Sequence, residues 1–226
     1  MSNIPSSKNI KTINSSEFRD PAPLPPWALR RPLVALWFVV SRAGDNGRIT
    51  PFRRLSHITE YIYLGGQVGR RGWHTLQKWG VQAMVNMRVE FDDRTLGIKI
   101  PYYLWLPTID GTPPTVEQLA QGAKFIHEQT VAKRPVYIHC AAGVGRSPTQ
   151  VIAYMMTRGS SIEESIERIE LRRPIISLSP KQKVRLHQFE EYIQEMNIDY
   201  SEDRQHDPVK PAAEASVDVP AMNKDS

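Results

Sequence analysis

Short apolar runs and amphipathic stretches alternate along the middle of this chain. Four runs are apolar and short enough to be strands, and they lie at residues 61–66, 81–87, 102–107 and 134–139. Between and after them, apolar residues recur at intervals of three and four, the period of an amphipathic helix. Alternating strands and helices predict an α/β domain whose largely parallel central sheet is flanked by helices. We place this domain at residues 55–198.

The starts of three helices are marked by capping boxes, in which a Ser or Thr is followed three residues later by Gln or Glu. The pairs are Thr115 with Gln118, Ser161 with Glu164, and Ser179 with Gln182. A further helix is predicted at residues 73–80, where Gly80 would end it. In the last helix, the apolar residues recur at intervals of three, four and three, the period of a helix; they are Leu186, Phe189, Ile193 and Met196.

The two ends of the chain differ from the predicted domain in composition and charge. Residues 1–54 are basic and rich in proline, with nine Lys or Arg against three Asp or Glu. Residues 199–226 are acidic, with three Lys or Arg against seven Asp or Glu. The polar start of the first segment and the whole of the second are typical of disordered chain. The simplest interpretation is that both are solvated, and the alternative is that the basic arm meets an anionic surface.

An apolar segment in the basic arm raises the question of membrane contact. Its eight residues, 33–40, are too few to span a bilayer, which takes a helix of about 20. Residues 27–42 combine apolar bulk, two tryptophans and flanking arginines, as interfacial segments do. A peripheral membrane contact through residues 27–54 is therefore an alternative to packing of this segment on the domain.

Other sequence features limit the location and partners of the protein. The N-terminus has no apolar signal core, and a single cysteine is typical of a reducing compartment, so we predict a cytoplasmic protein. The basic residues are accompanied by no recognition helix or stacking motif, so nucleic acid is not an expected partner. We expect a monomer.

The candidate chemistry centres on Cys140, which follows the strand at 134–139 and precedes a helix that starts near Ser147. Ligands of parallel sheets bind at the carboxyl ends of strands, and helix N-termini offer free N–H groups and a positive dipole end. Glycines in the connecting loop permit backbone geometries that other residues resist. The sequence therefore predicts a cradle for a phosphate-sized anion, formed by Ala141, Ala142, Gly143, Val144, Gly145 and Arg146.

A thiol at the base of such a cradle is expected to be a nucleophile. The helix N-terminus and Arg146 would lower the pKa of Cys140 from the usual value of about 8.5. Arg146 can also bind two phosphate oxygens at once. Ser147 can donate a hydrogen bond to the sulfur, and His139 is expected to fix the loop rather than transfer protons. A cysteine that merely packs is the alternative, and the Gly, Arg and Ser residues that follow Cys140 disfavour it.

Departure of an alkoxide or phenoxide needs a proton, and Asp110 is the candidate donor. It lies in the loop between the strand at 102–107 and the helix capped by Thr115, within an Asp-Gly pair that is also common in ordinary turns. The rival acids Glu90, Asp92 and Asp93 belong to a charged loop. We predict solvated positions for these three side chains, and the alternative is that they shape the pocket rim together with Arg88 and Arg94.

The stretch HCAAGVGRS, residues 139–147, resembles the H-C-x-x-G-x-x-R-S signature of cysteine-dependent protein phosphatases of the dual-specificity form. The similarity extends over roughly residues 55–195. It implies the fold of that family, a phosphocysteine intermediate, and neither a metal nor a cofactor. It also implies a general acid about 30 residues before the cysteine, where Asp110 lies. Once ionised, the same residue would act as the base on the water that hydrolyses phosphocysteine.

The substrates that the resemblance implies are phosphotyrosine and phosphoserine or phosphothreonine in proteins. The tryptophan-proline-aspartate loop of the tyrosine-only phosphatases is absent, which favours a shallow pocket. Some relatives act on phospholipids, so a phosphatidylglycerophosphate or phosphoinositide phosphatase on the same scaffold is an alternative. A phospho-binding module without turnover is a third hypothesis, and the presence of Cys140, Arg146 and Asp110 together weakens it.

Overall fold

The computed structural model describes residues 55–201 of the 226-residue chain. The predictions about the arm at 1–54, including its membrane contact, lie outside the described residues. So does the prediction about most of the acidic tail.

The described chain contains five strands and five α-helices in largely alternating order. The strands are β1 Leu55–His57, β2 Ile62–Gly65, β3 Ala83–Arg88, β4 Tyr102–Thr108 and β5 Val136–His139. The helices are α1 Arg70–Lys78, α2 Val116–Val131, α3 Arg146–Thr157, α4 Ile162–Arg172 and α5 Pro180–Glu195. A 3-10 turn at Asp93–Leu96 lies between β3 and β4.

The strands form one sheet in the order β1-β2-β5-β3-β4. Strands β2, β5, β3 and β4 are parallel, and only β1 is antiparallel to its neighbour. The prediction of a largely parallel sheet flanked by helices is therefore confirmed. Strand β1 was not predicted, because its three residues, two half-buried and one exposed, leave too short a pattern. Strand β5 lies at the centre of the sheet, so the residues that follow it emerge in the middle of the carboxyl edge.

Helix α3 is the central element of the packing. All of its residues are buried, because it packs against strands β2, β3 and β5 and against helices α2, α4 and α5. Side chains from the sheet and these helices form one apolar core with Val151, Ile152 and Met155 of α3. The helix is therefore held on every side, and so is its first residue, Arg146.

All three capping boxes form as the sequence predicts. In each, the Ser or Thr side chain accepts from the third helical N–H, and the Gln or Glu side chain accepts from the N-cap N–H. Helix α1 begins at Arg70, earlier than predicted, and ends before Gly80, whose φ is +82°. In α5, Leu186 and Phe189 are buried, but Met196 is 58 % exposed. Met196 lies just beyond the end of α5 at Glu195, so the helical spacing does not bury it.

The described chain ends on the domain surface at Tyr200. The backbone N–H of Tyr200 donates to the carbonyl of Thr157 at 2.7 Å, and its ring stacks on His127 with centroids 4.0 Å apart. The acidic tail was expected to begin at residue 199. The contacts of Tyr200 lie two residues beyond the predicted domain boundary at residue 198.

Candidate active site

The loop of residues 140–145 joins the end of β5 to the start of α3 and lies against the end of β2. Gly143 has a φ of +70°, and a Cβ built on it would lie 2.3 Å from the carbonyl carbon of Gly65. A side chain at position 143 would therefore be strained and would also collide with the backbone. Glycine at this position lets the loop turn tightly around the thiol of Cys140.

The Cys140 sulfur is buried and receives hydrogen bonds from the loop that surrounds it. The Gly143 N–H donates to Sγ at 3.2 Å, and the Ser147 hydroxyl donates to it at 3.4 Å. Burial alone would raise the pKa of the Cys140 thiol, but the positive charge of Arg146 and these donors outweigh it. The net effect is a lowered pKa, as expected for a nucleophilic thiolate.

Arg146 is fully buried and is held by one end of its guanidinium. Nη1 donates to the Thr108 carbonyl at 2.6 Å and to both carboxylate oxygens of Glu90, at 3.0 and 3.1 Å. Among the described residues, Nε and Nη2 have no hydrogen-bond acceptor. Buried donors without an acceptor are rare, and a free Nε–Nη2 edge matches two oxygens of one phosphoryl group. Nε and Nη2 can therefore donate to an oxyanion in the cradle.

Asp110 lies beside this open edge. Its Oδ1 is 2.9 Å from Nη2 of Arg146, an ion pair without hydrogen-bond geometry. The Asp110 side chain is 63 % exposed, so it faces the mouth of the site. The structure thus brings Asp110, Arg146, Ser147 and Cys140 together, although Asp110 precedes Cys140 by 30 residues.

His139 is fully buried beneath the loop and links it to the 3-10 turn. Its Nδ1 lies 3.3 Å from the carbonyl oxygen of Cys140, and its Nε2 lies 2.9 Å from Oδ2 of Asp93. The side chain of Gln67 donates to the other oxygen of Asp93, and its backbone N–H donates to the Ala141 carbonyl at 3.0 Å. This network fixes the loop from below, the position expected for a histidine that shapes it.

The side chains of all three rival acids are largely withdrawn from solvent, contrary to the prediction of solvated positions. Asp93 is buried because it pairs with His139, and Glu90 is only 22 % exposed because it pairs with Arg146. The Asp92 side chain is 17 % exposed, and it forms an ion pair at 2.7 Å with the exposed side chain of Arg94. In sequence, a run of charged residues looks like a solvated loop. Its partners here, Arg146 and His139, are about 50 residues away in the chain, so the sequence does not show that they pair with it.

Arg173 holds the loop from outside and was missed in the sequence. Its Nε donates to the Gly143 carbonyl at 2.7 Å, and its Nη2 donates to the Ala142 carbonyl at 3.0 Å. Burial lowers the pKa of Arg173 to about 10, against the charges of Tyr137 and Cys140, which raise it. The two hydrogen bonds from Arg173 hold the backbone of Ala142 and Gly143 in one conformation. Nothing distinguishes Arg173 from its neighbour Arg172 in sequence.

Two further searches concern metals and membranes. Within residues 55–201, no group of three or more His, Cys, Asp or Glu side chains could hold a metal ion. The absence of a metal or cofactor from the reaction stays a prediction. None of the helices in the same range is both long and apolar enough to cross a bilayer.

A known protein family matches most of the described residues. The family model for the dual specificity phosphatase catalytic domain matches residues 62–192, which is more than half of the chain and includes every element from β2 to most of α5. The chain belongs to this family. Residues 139–147, which carry the resemblance in sequence, lie within the matched dual specificity phosphatase region.

Its relatives include both protein and lipid phosphatases. The chain is 27% identical over 144 residues to phosphatidylglycerophosphate phosphatase PTPMT2 of Arabidopsis thaliana, covering 61% of this chain and 63% of that protein. It is 28% identical over 143 residues to dual specificity protein phosphatase 14 of Mus musculus, covering 59% and 64%. The matched region thus spans a little under two thirds of the length of these curated relatives.

Solved structures agree with the dual specificity phosphatase fold. The crystal structure of PTPMT1 in complex with PI(5)P superposes with a TM-score of 0.58 at 26% identity, covering 64% of this chain and 99% of that chain. Human DUSP28 superposes with a TM-score of 0.56 at 20% identity, covering 63% and 99%, which supports the fold alone.

Proposed function

We propose that this protein is a cysteine-dependent phosphomonoester hydrolase that acts on phosphotyrosine and phosphoserine or phosphothreonine through a phosphocysteine intermediate. The observation that carries the proposal is the Nε–Nη2 edge of Arg146, which has no hydrogen-bond acceptor among the described residues and belongs to the same cradle as a buried thiol whose pKa is lowered. A phosphoryl group on that edge would face the Cys140 sulfur. The family to which the chain belongs supports the same chemistry.

In the first step, the Cys140 thiolate attacks phosphorus. The S–P bond forms as the P–O bond to the leaving group breaks, and Asp110 gives its proton to the departing oxygen. The backbone N–H groups from Ala141 to Arg146 and the Arg146 guanidinium hold the phosphoryl oxygens through the transition state. Asp110 suits this role because it faces the mouth of the pocket beside Arg146.

In the second step, water attacks the phosphocysteine. Asp110, now a carboxylate, accepts a proton from the water, and the S–P bond breaks to release phosphate and the Cys140 thiolate. The hydroxyl of Ser147 stabilises that thiolate as a leaving group, since it already donates to Sγ at 3.4 Å. His139 keeps the loop in shape through Cys140 and Asp93 and transfers no proton.

The test is phosphate release from phosphotyrosine, phosphothreonine and phosphoserine peptides in the presence of a chelator. Wild type is expected to turn over these peptides. The Cys140→Ser variant should be inactive, and Asp110→Asn should lose about a hundredfold or more in kcat. Full turnover by Cys140→Ser would overturn the mechanism. Retention of phosphopeptides without any turnover by wild type would favour the phospho-binding module instead.

A phospholipid substrate is the second candidate, and two exposed apolar residues, each next in sequence to an acid that contacts Arg146, favour it. Val89 is 45 % exposed beside Glu90, and Ile109 is 65 % exposed beside Asp110. Both acids contact Arg146, so the backbones of Val89 and Ile109 lie near the phosphate site. Apolar groups in this position would contact the acyl boundary when a headgroup enters the pocket.

The lipid candidate is tested with phosphatidylglycerophosphate and phosphoinositides in mixed micelles, beside the peptide panel. A double variant, Val89→Ser with Ile109→Ser, should lose micellar turnover while its turnover of a soluble aryl phosphate stays near that of wild type. Equal loss on both kinds of substrate would argue against a lipid-facing rim. A preference for peptides in the wild type would leave the first candidate as the function.

The location and assembly of the protein are part of the same proposal. A monomeric protein of the cytoplasm fits the single cysteine and the charged surface, with peripheral membrane contact through residues 27–54 if the lipid candidate holds. Liposome flotation of the protein with and without residues 1–54 tests this contact. Equal partition into the lipid fraction would exclude a role for the arm.

A further inference from the structure

The backbone of the loop that carries Asp110 is tied at both ends to the N-terminus of a helix. At one end, the side-chain Nε2 of Gln118 donates to the Pro107 carbonyl at 3.0 Å. At the other, the side-chain Nε2 of Gln182 donates to the Thr112 carbonyl at 3.3 Å. Because the Asp110 carboxylate is exposed and has a single ion pair, these backbone ties decide where it lies.

Both glutamines are also the third residues of capping boxes. The Oε1 atom of Gln118 accepts from the N–H of Thr115 at 2.9 Å, and that of Gln182 accepts from the N–H of Ser179 at 2.9 Å. Each amide thus faces an N–H with its oxygen and a carbonyl with its nitrogen, which fixes its orientation. One side chain caps the helix and binds the loop at the same time.

The third capping box of the chain provides an internal comparison. Glu164 caps α4 in the same way, with its Oε2 accepting from the N–H of Ser161 at 2.9 Å. Glutamate and glutamine serve equally in a capping box, but an ionised carboxylate has no N–H to donate. The chain therefore has Gln in the two boxes that touch the acid loop and Glu in the box that does not.

We propose that Gln118 and Gln182 are positioning residues for proton donation by Asp110, and that their amide nitrogens set how well a leaving group is protonated. The proposal rests on the proposed role of Asp110 as general acid. Exchange of either glutamine for glutamate keeps the cap and adds a charge that the helix N-terminus favours. It also places a carboxylate oxygen against a loop carbonyl, so the loop moves away from its position.

The experiment uses the full chain with Gln118→Glu, Gln182→Glu and the double variant. Their kcat/KM values are measured on 4-nitrophenyl phosphate, which has a good leaving group, and on phenyl phosphate, which needs protonation. We expect about a tenfold loss on phenyl phosphate and about a twofold loss on 4-nitrophenyl phosphate, since general acids contribute roughly 10²–10⁴-fold when fully in place. The melting temperature should stay at or above that of wild type. The matched control is Glu164→Gln, which should leave both rates unchanged.

A double-mutant cycle separates positioning from a structural role. In an Asp110→Asn background, the Gln-to-Glu changes should cause no further loss on phenyl phosphate, because the group they position no longer donates a proton. Losses that multiply with that of Asp110→Asn, or that are equal for both leaving groups, would overturn the proposal.

The same data distinguish this proposal from the proposed function. If Asp110→Asn itself shows no dependence on the leaving group, the assignment of the acid is wrong. If Cys140→Ser retains turnover, the phosphocysteine mechanism is wrong. In a third outcome, Asp110→Asn shows a strong leaving-group effect, but the Gln-to-Glu variants have the same ratio of the two rates as wild type. That outcome would reject only the role of the glutamines.

Discussion

The hydroxyl of Ser147 touches the nucleophile directly, and its effect can be isolated by one substitution. Ser147→Ala removes a donor to Sγ, so the pKa of Cys140 should rise from its lowered value. Because the thiolate is the reactive form, the acid limb of the kcat/KM profile should move to higher pH. At the acid end kcat/KM should fall by about tenfold, the factor that corresponds to ~1.5 kcal/mol for a hydrogen bond to a charged group. Above both pKa values the difference in thiolate fraction disappears.

The measurement is kcat/KM against pH on a soluble aryl phosphate, and Thr149→Ala is the control. Thr149 lies in the same helix but donates to the Gly145 carbonyl rather than to the sulfur. An acid limb that stays in place in Ser147→Ala would show that Arg146 and the loop alone set the pKa of Cys140.

Arg173 allows a second test at the scale of single residues. Arg173→Lys keeps the charge but cannot donate to the Ala142 and Gly143 carbonyls in a fork. We expect the free energy of unfolding to fall by about 1–3 kcal/mol, the cost of a buried group left unpaired. Inhibition by inorganic phosphate should also weaken, because the loop loses its support. Denaturant unfolding and inhibition assays measure both effects, and Arg172→Lys, an exposed neighbour, should change neither.

The 3-10 turn Asp93–Leu96 is the element that links the sheet to the underside of the loop. Asp93→Ala removes the partner of His139 and leaves its Nε2 buried without an acceptor. The free energy of unfolding should fall by about 3 kcal/mol, as for other broken buried pairs. Asp92→Ala, which removes a cap and a more exposed ion pair, should cost about 1 kcal/mol. Equal costs in denaturant unfolding would show that the Asp93–His139 pair adds little.

The sequence predicted elements well where the determining contacts are local. The capping boxes at Thr115, Ser161 and Ser179 involve residues three apart, so the starts of α2, α4 and α5 could be placed correctly. Burial of Asp93 could not be predicted, because its partner His139 is 46 residues away. The same holds for Arg173, whose carbonyl acceptor at Gly143 is 30 residues distant.

At the scale of the whole molecule, the sequence indicated the fold class but not the arrangement of the sheet. Alternating strands and helices predict parallel strands, whereas the order β1-β2-β5-β3-β4 depends on which strands meet after folding. The meeting of Cys140 and Arg146 was predictable from nine contiguous residues. The proximity of Asp110 was expected from the family resemblance, and its exposed setting and backbone ties required coordinates.

The extent of the domain can be tested at Tyr200. Tyr200→Ala removes the stacking on His127 but not the backbone hydrogen bond to Thr157. A loss of about 1 kcal/mol, typical of an aromatic pair, should lower the melting temperature of the chain by roughly 2–4 °C. Tyr200→Phe keeps the ring and should melt within about 1 °C of wild type. An unchanged melting temperature in Tyr200→Ala would place the end of the stable domain before residue 199.

The positions of the two reacting groups in the sheet have a consequence for amide hydrogen exchange. Cys140 follows β5, which is paired on both sides, whereas Asp110 follows β4, which is paired only with β3 in the described sheet. Amides of β5 should therefore exchange with solvent only when the whole domain opens, and those near the end of β4 through smaller local openings. The Cys140 sulfur thus lies next to the slowest-exchanging strand of the protein. The loop that carries Asp110 can therefore change its position, and with it the protonation of the leaving group, while the surroundings of the sulfur stay closed.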